Sequence, residues 1–373
     1  MMRRGPAPLW LVQPSRFAGL SPRNAAAALA ALALLLLATL LVFAAPTPPA
    51  ASGDAGRRDD DLADVVLYET IVANVRHGAG YYDTATEAMR AGNYPLRPFV
   101  TVRLPTLAIV QASVPHAIVV LLLYLLAAAV MLAWWQRLAP VFARPPPRVI
   151  AMVLLAGGLM AFVQRELLAF HEIWAGLLIA LSLGVHRRGQ WLPAVAFGLS
   201  AAVIRETAGL YLLLMTVGAL VEGERREAAA WAVAAAILTL ALAAHAHAVA
   251  QVVGPLDPAS PGWSGHLGFG FFVRTMTVST ALMIAPLWLA APLVGLALFG
   301  WAAWRDRTGL RVLAVLLGYA VVLSVFGRVD TFYWGLLIAP LLLVGLVFAP
   351  DGLRDLIEAA GDRRRITVKR VVR

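Results

Sequence analysis

Long runs of apolar residues, separated by short polar or charged stretches, recur along the whole chain. Several runs approach the roughly 20 residues that a helix needs to cross a hydrocarbon core of about 30 Å. We therefore predict an all-α polytopic membrane protein, a single transmembrane domain over 1–373 with about ten membrane-spanning helices. The predicted spans are 25–45, 106–135, 149–163, 173–185, 191–204, 208–221, 228–253, 280–304, 310–326 and 332–349.

Four of these spans are shorter than a comfortable crossing, and they form two pairs: 149–163 with 173–185, and 191–204 with 208–221. Short hairpins that end below the membrane surface leave a hollow there, where ionisable groups can reach water. The alternative is that the charges are ion pairs that only close tight turns. Charged or ionisable residues fill the turns of these pairs and of the last hairpin: Arg165, Glu166, His171, Glu172, Arg205, Glu206, Arg328 and Asp330.

Composition agrees with a membrane protein, since 61% of the chain is apolar and only 14% is charged. The chain has no cysteine, which excludes disulfides, thiol chemistry and cysteine-ligated metals. The net charge of the chain is +10. If both termini are cytoplasmic, most of the basic residues lie in segments that face the cytoplasm, as the positive-inside rule expects. This predicts a first extracytoplasmic loop over 46–105 and a basic cytoplasmic tail over 350–373 that contacts anionic membrane lipids. Nucleic acid is not needed to explain the charge.

The polar loop over 46–105 contains an amphipathic segment at 62–76. Its apolar residues, among them Val65, Ile71 and Val75, share one helical face, whereas Glu69 points away. At about 100° per residue, Asp64 projects into the apolar stripe, which predicts a carboxylate aimed at the protein or the membrane. The alternative is a first-turn acid favoured by the helix dipole, after an N-cap at Asp61.

The segment that follows, 77–83, combines two glycines with Tyr81 and Tyr82. Tyrosine rings suit either a sugar or the headgroup region of a membrane. The histidines do not suggest a metal site, because His245 and His247 do not face each other on a helix and His171 stands apart.

Asp64-Val-Val-Leu-Tyr68, followed by His-Gly-Ala-Gly-Tyr-Tyr-Asp over 77–83, resembles the first outer loop of the GT-C class of membrane glycosyltransferases. Arg205 in the middle of the chain and the closing turn over 328–334 are similar to that class too. The resemblance implies a catalytic Asp in the loop, a polyprenyl-phosphate sugar as donor, and transfer outside the cytoplasm. Glu69 and the aspartates at 59–61 are the competing acids.

On this hypothesis Asp64 is the general base, and Arg205, with Arg165 or Arg328, holds the donor phosphate. Glu172 or Asp330 would hold sugar hydroxyls in an inverting reaction. The remaining candidate substrate-binding residues are His171, Tyr82 and Tyr68. The acceptor would be a lipid- or glycan-linked hydroxyl, and the enzyme would lie in a bacterial cytoplasmic (inner) membrane with its site facing the periplasm. No metal ligand is assigned, and the need for a divalent cation is left open.

A transporter or lipid flippase is the main alternative, with charges lining a path through the bilayer. The two halves show no convincing internal repeat, and the inner face lacks intramembrane charge to match that at the outer face, which favours the one-sided enzyme. A structural subunit of an envelope-polysaccharide assembly is the third hypothesis.

Overall fold

The structure, a computed structural model, describes residues 8–48 and 55–361. Apart from three isolated bridges, the regular structure of this part is helical, and the prediction of an all-α fold is confirmed. Short 3₁₀ segments extend or connect the α-helices. The α-helices described are α1 Pro22–Thr39, α2 Ala55–Arg76, α3 Tyr81–Ala91, α4 Thr106–Ser113, α5 His116–Leu138, α6 Pro145–Gly158, α7 His171–Val185, α8 Leu192–Ile204, α9 Gly209–Val221, α10 Arg225–Val252, α11 Gly268–Val278, α12 Leu287–Ala303, α13 Arg307–Val325, α14 Ala339–Leu342 and α15 Ala349–Gly361.

Four helices in the described part are long and apolar enough to cross a membrane: Pro22–Phe43, α5, α10 and α13. A pair bent by 59°, Val329–Leu337 with Ala339–Gly361, could form a fifth crossing. The shorter apolar helices are Phe99–Ser113, His171–Val185, Leu192–Ile204, Glu206–Val221 and Leu287–Ala303. These helices support a membrane protein, whereas the number of ten spans stays a prediction.

Helix α7 shows why some apolar helices are short. Every residue from His171 to Gly184 is buried, and the helix packs against α5, α8 and the segment Val329–Leu337. A helix that is apolar on all sides and enclosed by other helices contacts protein rather than lipid. Its length is therefore not set by the thickness of the bilayer.

Three predicted spans have different limits in the structure. The span predicted at 106–135 is two helices, α4 and α5, because Pro115 lacks the N–H that a continuous helix needs. The span predicted at 280–304 begins only at α12, and a separate helix, α11, precedes it. The last span, 332–349, is mostly 3₁₀ with the single short helix α14.

The predicted tail over 350–373 is corrected in its first part, because α15 is a packed helix that contacts α1 and α12. The carboxylate of Asp351 accepts hydrogen bonds from the backbone N–H groups of Leu9 and Trp10 at 2.6 and 2.9 Å. Asp355 accepts one from Ser15 at 2.7 Å. The arginine-rich remainder, from 362 onward, lies outside the described residues. The two ends of the described chain therefore lie together, as the topology predicts.

The loop predicted at 46–105 forms α2 and α3. Val65, Leu67 and Ile71 of α2 are buried and Glu69 is exposed, so the predicted amphipathic helix is confirmed. The helix begins well before residue 61, which places Asp61 inside it and makes the predicted N-cap wrong. The side chains of the aspartates at 59–61 lie outside those described.

The loop between α10 and α11, residues 253–267, contacts the loop predicted at 46–105. The backbone N–H of Leu96 donates to the carbonyl of Pro258 at 2.9 Å, and Arg90 pairs with Asp257 at 2.8 Å. The Arg90 guanidinium lowers the pKa of Asp257 to about 2. The two loops thus lie together at the end of the bundle that carries Asp64.

Candidate functional site

The end of the bundle that carries Asp64 contains a cavity of about 1360 Å³. Helices α9, α10 and α13 supply apolar side chains to its wall, including Leu213, Leu242 and Val322. Such a mixed wall suits a ligand with a polar and an apolar part. The polar residues of the wall include Asp64, Tyr68, Asn93, Tyr94, Arg103, Gln164, Arg205, Glu206, Arg328, Asp330 and Tyr333.

Asp64 reaches this cavity from α2, as the helical pattern predicts. It is partly buried, and Tyr94 is its side-chain hydrogen-bond partner. Burial raises the pKa of Asp64, while the Tyr94 hydrogen bond and the charge of Arg103 lower it. Because α2 begins at Ala55, Asp64 is not in the first turn, and the helix-dipole alternative is wrong. A carboxylate with a raised pKa at a cavity wall is a suitable proton acceptor.

Arg103 is a cation of the site that the sequence analysis missed. Its Nε donates to the Tyr68 hydroxyl at 3.1 Å, and its Nη1 lies 3.4 Å from Glu206 Oε1. The Tyr81 hydroxyl donates to the Arg103 carbonyl at 2.7 Å and holds the backbone in place. The only local signal is an arginine between the apolar residues Val102 and Leu104.

Arg205 borders the cavity, but its guanidinium is already paired. It donates to the carboxylates of both Glu172 and Glu206, and its side chain is only 1% exposed. Glu206 Oε2 is buried without a hydrogen-bond partner. Arg205 therefore links two hairpin turns, and little of it can contact a ligand.

Glu172 and His171 lie behind the cavity wall rather than in it. Both are buried at the start of α7, and neither lines the large cavity. The His171 ring stacks edge-on against Tyr68 at 4.9 Å, and neither ring nitrogen has a hydrogen-bond partner. In this arrangement they support Tyr68 and Arg205, the neighbours that do line the cavity.

The closing turn brings Arg328 and Asp330 to the cavity, where they pair at 2.5 Å. The Arg328 side chain is 30% exposed and that of Asp330 is 56% exposed, so this ion pair can open and each side chain can contact a ligand instead. Tyr333 of the same segment also lines the cavity.

Two further predicted site residues, Tyr82 and Arg165, also lie outside the cavity wall. The Tyr82 hydroxyl lies 3.1 Å from His245 Nδ1, outside the cavity wall, because α3 turns Tyr81 rather than Tyr82 toward Arg103. Arg165 is exposed, with its Nε 3.4 Å from the Tyr124 hydroxyl. Its neighbour Gln164 takes the position on the wall. In each of these neighbouring pairs, the sequence could not show which side chain faces the cavity.

The described residues contain no cluster of three His, Asp or Glu side chains that could hold a metal ion.

Buried charge is not confined to the end of the bundle that carries Asp64. At the other end of the bundle Glu227, Arg311 and His186 are 2%, 5% and 7% exposed. Arg311 Nη1 lies 2.5 Å from Glu227 Oε1, and His186 Nε2 lies 2.9 Å from the same oxygen. Glu227 and Arg311 lie near the starts of α10 and α13, and His186 directly follows α7, so the charges are buried among the ends of these helices.

Comparison with models of protein families, with curated proteins and with solved structures found no match to the chain. The function is therefore argued from the site.

Proposed function

We propose that the protein is a membrane glycosyltransferase that moves a sugar from a polyprenyl-phosphate-linked donor to an acceptor hydroxyl. The observation that carries the proposal is Asp64, a partly buried carboxylate on the wall of a cavity that also presents guanidinium groups and a broad apolar surface. The reactants have three matching parts: the acceptor hydroxyl for the carboxylate, the donor phosphate for the guanidinium groups, and the polyprenyl chain for the apolar surface. In keeping with the resemblance, the site would face the periplasm in a bacterial cytoplasmic membrane, with about ten crossings.

The reaction needs one proton acceptor and one anion-binding group. The acceptor oxygen attacks the anomeric carbon, the bond from that carbon to the phosphate oxygen breaks, and the phosphate leaves with the electron pair. Asp64 takes the proton of the acceptor hydroxyl, and attack from the side opposite the phosphate inverts the anomeric centre.

Arg103 and Arg328 are better placed than Arg205 to bind the departing phosphate. Their side chains are 14% and 30% exposed, against 1% for Arg205. A guanidinium presents paired N–H donors that match phosphate oxygens. Asp330 is then free to accept hydrogen bonds from sugar hydroxyls when Arg328 turns to the phosphate.

The test uses the full-length protein purified into lipid with radiolabelled polyprenyl-phosphate sugars and an extract of envelope acceptors. Asp64→Asn is expected to lower turnover by about 10² to 10⁴, because the amide cannot accept the proton. Donor binding should change little, since Asn keeps the size of the side chain.

Glu69→Gln is the matched control, because Glu69 is exposed on the other side of α2. It should keep parental turnover. An inactive Glu69→Gln beside an active Asp64→Asn would move the catalytic role to Glu69. No transfer from any donor would leave the structural-subunit hypothesis as the better one.

A transporter or flippase is the second candidate, and the buried charge at the far end of the bundle favours it. The two hypotheses differ in the product that the protein forms. A flippase would move a labelled polyprenyl-phosphate lipid across the membrane of proteoliposomes without forming a glycosylated product. Translocation in the absence of transfer would therefore overturn the transferase.

A further inference from the structure

A second cavity, of about 730 Å³, lies at the end of the bundle opposite Asp64. Helix α13 separates the two, because Arg311 near its start lines this cavity and Val322 near its end lines the first. Eleven residues of helix span about 17 Å. The second cavity is therefore a distinct site, and its position does not depend on the proposed function.

The wall of this cavity carries six arginines and three carboxylates, Glu222, Glu227 and Asp306. Arg311 pairs with two of these carboxylates. Its Nε and Nη2 contact the two oxygens of Glu222 at 3.0 and 2.9 Å, and its Nη1 contacts Glu227 at 2.5 Å. Glu227 also accepts from Trp231 at 3.2 Å. These carboxylates are thus occupied by a cation that lies almost fully inside the protein.

Arg137 and Arg187 are in a different situation. Arg137 donates to the carbonyl of His186 and the hydroxyl of Thr308, and Asp306 Oδ1 lies 3.9 Å away. Arg187 donates to the carbonyls of Gly184 and His186 at 2.7 and 2.9 Å. Among the described contacts, neither guanidinium has a hydrogen-bonded carboxylate.

The carboxylate nearest to Arg137 is itself engaged. Asp306 Oδ1 accepts the backbone N–H of Thr308 at 2.8 Å and caps α13. Glu224, beside the cavity, pairs with Arg188 at 2.7 Å. With Glu224 counted, the arginines of the wall still outnumber the surrounding carboxylates by two. The side chain of Arg137 is only 11% exposed, so water solvates little of this excess positive charge.

From this arrangement we propose that the second cavity binds a phosphate group through Arg137 and Arg187. A phosphate monoester carries between about −1.5 and −2 charges at pH 7, which matches the excess of two arginines over carboxylates around the cavity. Paired N–H donors of arginine also fit its tetrahedral oxygens. The phosphate comes either from the headgroup of a phospholipid or from a soluble phosphate ion, and the chemistry of recognition is the same.

The experiment compares two probes on the full-length protein purified in a neutral detergent with phosphatidylcholine. One arm titrates inorganic phosphate, and the other adds phosphatidic acid in micelles of the same detergent. Binding is followed by native mass spectrometry and by the rise of the melting temperature that a ligand of the folded state produces. Phosphatidic acid binding alone identifies a lipid headgroup site, and binding of both probes identifies a site open to soluble phosphate.

Arg187→Gln should weaken binding of the effective probe about tenfold, and the double variant Arg137→Gln/Arg187→Gln should abolish it; a tenfold loss corresponds to about 1.4 kcal/mol. Arg226→Gln is the matched control, since Arg226 is exposed at the same end but does not line the cavity. It should bind like the parent.

Two results would overturn the proposal. Either the parent binds neither probe, which would make these arginines determinants of topology only, or Arg187→Gln binds as tightly as the parent. Arg187 is partly exposed and its single substitution spares the buried Arg311 cluster, so a folded variant is expected for this comparison.

Discussion

Asp64 and Arg205 show two ways in which this protein keeps a charged group away from bulk water. Arg205 is enclosed and has two carboxylates as partners, Glu172 and Glu206. Asp64 has a neutral partner, Tyr94, and a large cavity in front of it. The first arrangement fixes a charge in place, whereas the second leaves a carboxylate that can gain and lose a proton.

The protonation of Asp64 predicts the acidic limb of the pH profile. A general base acts only when ionised, so kcat/KM should fall as the pH drops through its pKa. Burial raises the pKa of Asp64, so the fall should lie above the ordinary value of about 3.9. Tyr94→Phe removes a hydrogen bond that lowers this pKa, and should move the limb to still higher pH.

Tyr82→Phe is the control for this comparison, because Tyr82 contacts His245 outside the cavity. Its profile should coincide with that of the parent. A limb that moves to lower pH in Tyr94→Phe would show that another group controls the rate.

Arg205→Ala tests whether the guanidinium is structural. It leaves Glu172, which is 2% exposed, without a counter-charge, and breaking a buried pair in this way costs about 3 to 5 kcal/mol. Arg205→Lys keeps the charge without the two-pronged geometry and should lose less. Unfolding in a denaturant series gives the free energies, and the exposed Arg165→Ala should change them little.

A different result for Arg205 would restore its role at the phosphate. If Arg205→Ala unfolds like the parent but no longer binds a polyprenyl-phosphate donor, the guanidinium contacts the ligand rather than the two glutamates.

At this scale the sequence indicates the side of a helix but not the partners across the fold. Asp64 could be placed because the 3.6-residue period alone sets its direction on α2. Arg103 could not, since a proline-containing loop carries it to Tyr68 and Glu206. The pairing of Arg205 with Glu172 joins hairpins that are separate in the sequence.

Among the helices, close approach depends on glycine. An added Cβ on Gly300 of α12 would lie 1.8 Å from the carbonyl oxygen of Gly345. The helix therefore packs with its backbone directly against the segment Leu343–Phe348, which small residues allow in membrane proteins.

Gly300→Ala should push these two segments apart. Overpacking of this kind costs about 1 to 3 kcal/mol and more where backbone must move. The midpoint of thermal unfolding in detergent measures the loss. Gly19→Ala, where nothing lies within 4 Å of the added methyl group, should change stability by less than about 0.5 kcal/mol. Equal stability of the two variants would mean that the contact is not tight.

The limits of α7 and α13 lie within a few residues of those that the apolar runs predict. The observed limits differ from the predicted ones where an apolar run continues across a break in the α-helix. The run 106–135 has no Asp, Glu, Lys or Arg on either side of Pro115, so its overall hydropathy does not reveal the break. The segment after Val329 is apolar too, but adopts 3₁₀ turns around buried packing.

On the scale of the whole molecule, the protein has two charged ends joined by apolar helices. The Asp64 cavity and the arginine cavity lie at opposite ends of α13, and the described chain ends lie together at the arginine end. Composition predicted the membrane character, but the second buried cluster depends on contacts among four helices and loops, and counts of charged residues could not reveal it.

Which end faces the cytoplasm can be measured directly, because the chain has no cysteine. Glu87→Cys on α3 and Gly361→Cys at the end of α15 introduce exposed thiols at the two ends. In intact spheroplasts an impermeant maleimide should label Glu87→Cys, and should label Gly361→Cys only after the membrane is opened, because basic segments favour the inner side. The reverse pattern would turn the Asp64 cavity toward the cytoplasm, where soluble nucleotide sugars are the available donors, and would remove the argument for a polyprenyl-phosphate donor.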